Sequence, residues 1–273
     1  MTGEARQEHS LARLRVAHLI SLGAVFYLIM LIVTAPASAV AWMLGRVSHQ
    51  SIILTQPQGS FWRGEAANML LRVQGQNDIS LGAPRWSLRL WPIFKGEMSM
   101  MLEVVNPQLQ ASHGVVSVGW NTLRLSQMDI TSTAALAAQI FPLLQIWQPG
   151  GELHFFTDDF IFSHRDAQGT AKLEWRQASS RLTAVSPLGT YLATLTGKPS
   201  GMSFKVETVT GALNMIGNGT WSPQTGLSFS GTARPDASAK KELQSFLQLW
   251  GKEQGDGSYH IAFSGANTPA SQH

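Results

Sequence analysis

The feature that most constrains this chain is an apolar run near its start, residues 16–35, which carries no formal charge. At about 1.5 Å of rise per residue, a helix of this length covers roughly 30 Å, the thickness of the hydrocarbon core of a bilayer. Within a bilayer, a single segment can pair all its peptide groups internally only as a helix. The run therefore predicts one membrane span.

The charges on either side of the run predict its orientation. Basic flanks stay on the cytoplasmic side, and three arginines precede the run whereas one follows it closely: Arg6, Arg13 and Arg15 before, Arg46 after. Pro36 breaks the helix close to the predicted boundary, and Trp42 lies where an interfacial aromatic residue would anchor the far end. We therefore expect a cytoplasmic tail over 1–15, an anchor and its exit over 16–44, and a periplasmic domain over 45–273.

Two alternatives compete with a retained anchor. A cleavable secretory signal would place a small-x-small cleavage site after a shorter apolar core, and small residues do occur at 35–39. The core here is longer than a signal requires, and Pro36 lies inside the candidate cleavage site. A buried core helix is disfavoured because the run shows no polar face at a period of 3.6.

Composition excludes several classes of protein. The chain has no cysteine, which rules out disulfides, cysteine-liganded zinc and cysteine nucleophiles. The net charge is +3, but the charges beyond the N-terminal tail are nearly balanced and form no basic stripe with interleaved aromatic residues. Nucleic-acid binding is therefore not expected. The residues indicate no oligomeric state.

Beyond residue 51 the apolar residues recur with period 2, which is typical of antiparallel sheet with one face buried. Clusters of Gly, Pro, Asn and Asp separate these segments at short intervals. We therefore predict a mainly β periplasmic domain built on a twisted antiparallel sheet. The apolar positions are Trp86, Leu88 and Leu90; Met98, Met100 and Leu102; Leu109 and Ala111; Ala171, Leu173 and Trp175; Met202, Phe204 and Val206; Leu227 and Phe229; and Tyr259, Ile261 and Phe263.

Two short helices are predicted within this domain. In residues 237–250, apolar side chains recur at helical spacing, with Asp236 as N-cap and Gly251 at the end. The Ala-rich segment from Thr133 to about Phe141 stops at Pro142. Both apolar stripes are expected to face the core.

The order of Trp and Gly residues suggests an internal duplication, with repeats over about 51–150 and 151–265. The spacing between matched residues rises steadily along the chain, as small turn insertions in the second copy would require. The matched pairs are Trp86 with Trp175, Gly96 with Gly189, Gly114 with Gly211, Trp120 with Trp221, Trp147 with Trp250, and Gly151 with Gly257.

A search for chemistry yields no catalytic motif: the P-loop, the nucleophile elbow, the zinc-protease pair and the acidic calcium loop are all missing from the sequence. One polar cluster could hold a metal, comprising His154, Asp158, Asp159, His164 and Asp166. Its spacing is not diagnostic, and Asp158-Asp159 fits a turn between two strands. We therefore predict no catalytic residue, no cofactor and no metal site.

Several segments in a shared order resemble the type II secretion system protein N family, a family of bacterial inner-membrane proteins. They are the apolar run with its Pro-Ala exit, G-S-F-W-R-G over 59–64, W-S-L-R-L-W-P-x-F-x-G-E over 86–97, the Pro149-Gly150-Gly151 turn, Trp175, L-G-T-Y over 188–191 and the closing helix with Asp256-Gly257. The resemblance extends over nearly the whole chain. The family-like positions, expected to be structural or interface residues, are Gly59, Phe61, Trp62, Gly64, Trp86, Gly96, Gly151, Gly189, Tyr191 and Gly257.

The resemblance implies an accessory component of the machine that exports folded proteins across the outer membrane, in contact with other secretion components of the inner membrane or periplasm. The alternative from the residues is a membrane-anchored protein that binds lipid or another apolar ligand in a groove. A groove would leave one apolar sheet face uncovered, whereas a scaffold would cover that face with the two helices. An enzyme is the least favoured class, given the empty motif search.

Overall fold

The structure is a computed structural model that describes residues 19–28, 30–73, 78–89, 96–106, 112–140, 142–163 and 166–264. Some predicted positions lie outside these residues: the cytoplasmic arginines, Leu90, Leu109, Ala111 and His164. The strand and metal predictions made for them are therefore described only through their neighbours.

The N-terminal apolar run is helical over 19–28 and 30–33, and its large side chains are exposed. In the described part of the chain, no helix combines the length and the apolar character needed to cross a membrane. The predicted span begins at residue 16, and residues 16–18 and 29 lie outside the described ranges.

A helix that the sequence analysis did not predict follows Pro36. Helix α1, Ala37–Val47, buries Ala37 and Val40 against the sheet and leaves Trp42 exposed, with the Arg46 guanidinium 5.5 Å from the centre of its ring. Its core partners are Ala66 and Trp86. The chain after the apolar run therefore turns back onto the domain at once.

One antiparallel sheet contains all sixteen strands of the described residues, which confirms the mainly β prediction. The order is β1-β4-β5-β6-β7-β8-β9-β10-β11-β12-β13-β14-β16-β15, and β3 joins β2 to β5. The strands are β1 Ile52–Thr55, β2 Gln58–Gly59, β3 Arg63–Glu65, β4 Asn68–Leu71, β5 Ile79–Arg89, β6 Met98–Val105, β7 Ser112–Val118, β8 Thr122–Thr133, β9 Pro149–Ser163, β10 Ala167–Ser180, β11 Gly189–Lys198, β12 Gly201–Gly211, β13 Leu213–Ser222, β14 Gly226–Pro235, β15 Lys252–Glu253 and β16 Tyr259–Ser264.

The long strands run up and down, so their connections alternate between two edges of the sheet. We call the edge where β5, β7 and β13 end the near edge, and the opposite one the far edge. The remaining helices connect strands at the far edge: α2, Ala134–Ile140, and α3, Pro142–Gln145, lie between β8 and β9, and α4, Lys240–Gln248, follows β14.

The predicted helices form, with altered ends. Thr133 caps α2 by accepting a hydrogen bond from the Leu136 backbone N–H at 3.2 Å, and a second short helix starts at Pro142, a favourable first position for proline. Helix α4 begins at Lys240, later than predicted. Asp236 is not its N-cap, because its carboxylate accepts a hydrogen bond from Asn214 Nδ2 at 3.0 Å instead.

The predicted turn at Asp158-Asp159 is wrong. Strand β9 continues through both residues, and its register against β10 shifts between Phe156 and Phe160, where β9 holds one extra residue. A bulge absorbs the polar pair that would otherwise end the strand. Asp159 then faces β8, where it accepts hydrogen bonds from Arg124 and Ser126, each at 3.1 Å.

Helix α4 closes the largest core. Leu243, Phe246 and Leu247 are buried, on the predicted stripe, against the far-edge ends of the strands. They pack with Ala178, Leu188, Tyr191, Leu213, Ala233, Tyr259 and Ile261. Only the far-edge part of this sheet face lies beneath the helix.

Candidate functional site

The family-like G-S-F-W-R-G segment forms a tight hairpin between β2 and β3. Gly59 has φ +91°, a conformation that favours glycine. A Cβ on Gly64 would lie 2.6 Å from Cζ2 of Trp86, so glycine is needed for the indole to lie against β3. The two glycines thus shape the hairpin and seat the buried Trp86.

The tip of this hairpin binds the end of the N-terminal helical segment. The Phe61 backbone N–H donates to the Ala35 carbonyl at 2.8 Å, and Nε1 of Trp62 donates to the Ile32 carbonyl at 2.9 Å. On its other side, the Trp62 carbonyl accepts a hydrogen bond from the Leu88 N–H at 2.7 Å. The hairpin therefore ties residues 32–35 to the near edge of the sheet.

Trp86 and Phe61 extend this junction into the core. Nε1 of Trp86 donates to the Phe61 carbonyl at 3.2 Å, and both rings pack with α1. The Phe61 and Trp62 rings meet edge to face at 5.2 Å. We call residues 58–65 with Trp86 the docking hairpin.

A second feature is an apolar groove on the sheet face that α4 only partly covers. Its volume is about 530 − 200 Å³ smaller than that of a polar surface cleft at the docking hairpin, at ≈ 330 Å³. The groove is lined by Ala134, Leu144, Trp147, Pro149, Leu153, Leu173, Trp175, Tyr191, Ala193, Phe204, Val206, Met215, Phe229, Ile261 and Phe263. The period-2 alternation on successive strands places these side chains on one face.

Glycines allow the floor of the groove to be aromatic. The Phe204 and Phe229 rings stack with centroids 6.0 Å apart and planes 4° from parallel, across β13. A Cβ on Gly219 would lie 2.1 Å from Cζ of Phe204, and one on Gly217 would lie 2.5 Å from Cζ of Phe229. Small residues on β13 therefore make room for rings from both neighbouring strands.

The polar atoms on two of the lining aromatic residues are already paired. The Tyr191 hydroxyl donates to the Leu213 carbonyl at 3.0 Å, and Nε1 of Trp175 donates to the Gly150 carbonyl at 2.9 Å. Burial raises the pKa of Tyr191 above its usual value, so the hydroxyl stays protonated. The groove consequently suits hydrocarbon better than a ligand that needs hydrogen bonds.

The other family-like glycines lie at turns or close backbone contacts. Gly96 and Gly257 have φ of +76° in turns that precede β6 and β16. Gly151 has φ +96°, and a Cβ there would lie 2.5 Å from the Arg176 carbonyl oxygen. Gly189 begins β11, where a Cβ would lie 2.6 Å from the Thr210 carbonyl oxygen. These positions have local structural roles.

The candidate metal ligands are separated into other contacts. His154 lies 2.9 Å from Asp129 through Nε2 and 3.1 Å from Arg176 through Nδ1, while Asp159 pairs with Arg124. Asp166 accepts a hydrogen bond from the Ser200 N–H at 3.1 Å. Among the residues that the structure describes, no group of three or more His, Asp or Glu side chains could hold a metal ion.

Comparison with protein families gives one match, to the family described as Type II secretion system (T2SS), protein N, over residues 50–262. The matched region runs from just before β1 into β16. No curated protein and no solved structure matches the chain. A protein built from this sheet and docking hairpin belongs to the type II secretion system protein N family.

The sequence analysis identified the docking hairpin by resemblance but not its role in holding the N-terminal segment. It also placed Phe204 and Phe229 on strand faces without predicting the groove. Alternation identifies the apolar face, whereas the position of α4 decides which part of that face stays uncovered.

Proposed function

We propose that the protein is an inner-membrane-anchored accessory component of the type II secretion system that acts by binding. Membership of the family, over residues 50–262, supports this proposal most strongly. The family consists of accessory secretion components and is not a known enzyme family. Its members act with other components of the same machine, which are the proposed partners in the inner membrane or periplasm.

The proposed topology is a single span with residues 1–15 in the cytoplasm and residues 45–273 in the periplasm. The arginines before the apolar run support this orientation. A periplasm-dependent phosphatase fused after His273 should be active. An inactive phosphatase together with an active cytoplasmic reporter at the same point would reverse the topology.

We expect the anchor to be retained. The apolar run is long for a signal core, and the docking hairpin binds the carbonyls of Ile32 and Ala35, which cleavage near residue 40 would remove. Sequencing the N-terminus of protein extracted from membranes tests this. A mature chain beginning near Val40 would contradict it.

Deleting the protein should reduce export across the outer membrane while folded, active cargo accumulates in the periplasm. Supplying the domain through a cleavable signal, without the span, should restore export only in part, because an anchor concentrates the domain near its membrane partners. Full export in the deletion strain, measured for several cargo proteins, would contradict a role in secretion.

The apolar groove favours a second function, binding of one acyl chain of a lipid. The groove lies in the middle of the sheet, between β9 and β16, so it offers no free strand edge to an extended peptide. Its volume of about 330 Å³ is at the small end of the range for ligand sites, roughly 300–1,000 Å³. These properties suit a hydrocarbon chain rather than a folded partner.

A photo-crosslinking amino acid at Val206 tests lipid binding in intact cells, with Lys205 as the matched control. The two residues are neighbours on β12, but Val206 lines the groove whereas Lys205 is exposed. A lipid adduct at Val206 alone would support the groove function. Equal lipid labelling at both positions would contradict it, and altered outer-membrane lipids with normal secretion would favour it over the secretion role.

A further inference from the structure

A fully exposed tryptophan lies at the tip of the β7–β8 hairpin. Gly119 donates its N–H to the Thr122 carbonyl at 2.8 Å, closing a tight turn that presents Trp120, whose exposed fraction is 100%. An indole ring in water forfeits the burial that makes tryptophan favourable in proteins. The turn therefore displays a large amphipathic side chain that makes little contact with its own domain.

Apolar side chains surround this tip along the near edge. Met98, Val118 and Leu123 are each more than a third exposed, and they are cross-strand neighbours: Met98 is opposite Val118, which is opposite Leu123. Together with Trp120 they form an exposed cluster, which we call the rim. A contiguous exposed cluster of this kind marks an interaction surface more often than scattered apolar residues do.

The docking hairpin fixes where the rim lies relative to the proposed anchor. Residues 61–62 hydrogen-bond to the carbonyls of Ala35 and Ile32, the last turn of the apolar run, and residue 62 also bonds to Leu88 on β5. Leu88 is opposite Met100 on β6, and Met100 is opposite Val116 on β7. Since neighbouring strands are about 4.8 Å apart, β7 lies roughly 10 Å from β5 at this edge.

We infer that the rim contacts the periplasmic surface of the inner membrane, with the Trp120 indole in the headgroup region. This inference rests on the single span proposed above. The end of that span lies at the bilayer boundary, and the rim begins two strands away on the same edge of the sheet. Tryptophan favours the membrane–water interface because its ring is apolar and its N–H is polar. A bilayer surface is the partner that the anchor already holds beside this edge.

The lack of cysteine in the chain allows a site-specific test in the full-length protein. Asn121→Cys, carrying an environment-sensitive fluorophore, reports on the turn while Trp120 is kept. The protein is placed in bilayers of phosphatidylethanolamine and phosphatidylglycerol, with and without a phospholipid that bears a nitroxide near its headgroup. We expect a blue-shifted emission that the nitroxide quenches.

Two labelled positions calibrate this result. Val209→Cys reports from an exposed apolar position near the far-edge end of β12 and should stay unquenched. Val25→Cys, in the helical apolar run, should be quenched by a nitroxide placed deeper in the acyl chain. Quenching at 25 but not at 121 would overturn the rim contact and leave the span intact. No quenching at 25 would overturn the span and the inference together.

A second substitution tests the role of Trp120 itself. In the Asn121→Cys background, Trp120→Glu should reduce the quenching at 121, whereas Trp120→Phe should retain most of it. Unchanged quenching in the Glu variant would overturn the assignment to Trp120. A label that stays in water in the lipid bilayer yet crosslinks to a protein in cell membranes would overturn the lipid contact in favour of a protein partner.

Discussion

The indole rings of Trp147 and Trp250 stack with their centroids 4.2 Å apart, joining the two helical connections of the far edge. Trp147 follows α3, and Trp250 follows α4. Phe246 of α4 meets the Trp147 ring edge to face at 6.3 Å. These contacts hold both connections against each other at one end of the apolar groove.

Replacing Trp250 by alanine should therefore destabilise the periplasmic domain. We expect a loss of about 3 kcal/mol, the low end of the range for tryptophan truncation, because the ring is half-buried. Lys241→Ala, on the exposed face of α4, should cost within about 0.5 kcal/mol. Denaturant unfolding of the purified protein measures both, and equal losses would mean that α4 is not packed through its apolar stripe.

The stacking itself can be separated from the loss of volume. A double-mutant cycle with Trp147→Phe and Trp250→Phe should give a coupling of about 0.5–1.5 kcal/mol. Nε1 of Trp250 is buried without a hydrogen-bond partner, so Trp250→Phe alone also removes an unpaired polar group. It should cost clearly less than Trp250→Ala.

Gly219→Ala should disrupt the floor of the groove. The new methyl group would meet the Phe204 ring at 2.1 Å, so the ring must leave its position against Phe229. We expect a loss of about 1–3 kcal/mol, typical of an overpacked core, together with weaker lipid crosslinking from position 206. Gly255→Ala is the matched control, since a Cβ there has no atom within 4 Å. Similar losses for both variants would contradict the packing described here.

Tyr191 predicts how stability changes in alkaline solution. Burial raises its pKa above the usual value of about 10, so the unfolded chain loses this proton at lower pH than the folded domain does. The folded state therefore binds more protons above about pH 10, and stability should fall as the pH rises through that range. Tyr191→Phe should cost about 1 kcal/mol at neutral pH through the lost hydrogen bond to Leu213.

The same variant should also show a shallower decline above pH 10. Tyr259, whose pKa is likewise raised by burial, remains and keeps part of the slope. Unfolding midpoints measured from neutral to alkaline pH test both statements. A slope identical to that of the unchanged protein would mean that Tyr191 titrates normally in the folded domain.

The strand faces could be predicted from sequence because alternation is a local property. Leu173 and Trp175 lie on one face of β10, with Phe204 and Val206 on the same face of β12, as their spacing indicates. The bulge at Asp158-Asp159 could not be predicted, since two acidic residues also suit a turn. Their retention in β9 depends on Arg124 and Ser126 of the neighbouring strand.

The candidate sites depended on contacts between distant segments. Glycine and tryptophan in residues 59–64 indicated a shaped turn, but its bonds to Ile32 and Ala35 join parts of the chain nearly thirty residues apart. Helix α1 was missed because its sequence follows Pro36 directly and resembles the exit of a span. The duplication remains a prediction, although Trp86 and Trp175 each donate Nε1 to a carbonyl 25 residues earlier in the chain.

The last prediction concerns the polar cluster around His154, which the sequence offered as a metal site. His154 Nε2 lies 2.9 Å from Asp129, and its ring stacks on Phe156 at 5.2 Å, so its contacts are those of a structural residue on the sheet. His154→Ala should lower stability by about 1 kcal/mol through the lost polar contact. Asp158→Ala, in the bulge, should have a smaller effect. Export of cargo should stay close to normal in both variants when expression is matched, and chelators should not change the unfolding midpoint. A secretion defect in either variant at normal domain stability, restored by an added divalent metal, would assign the cluster a role in binding that its present contacts do not require.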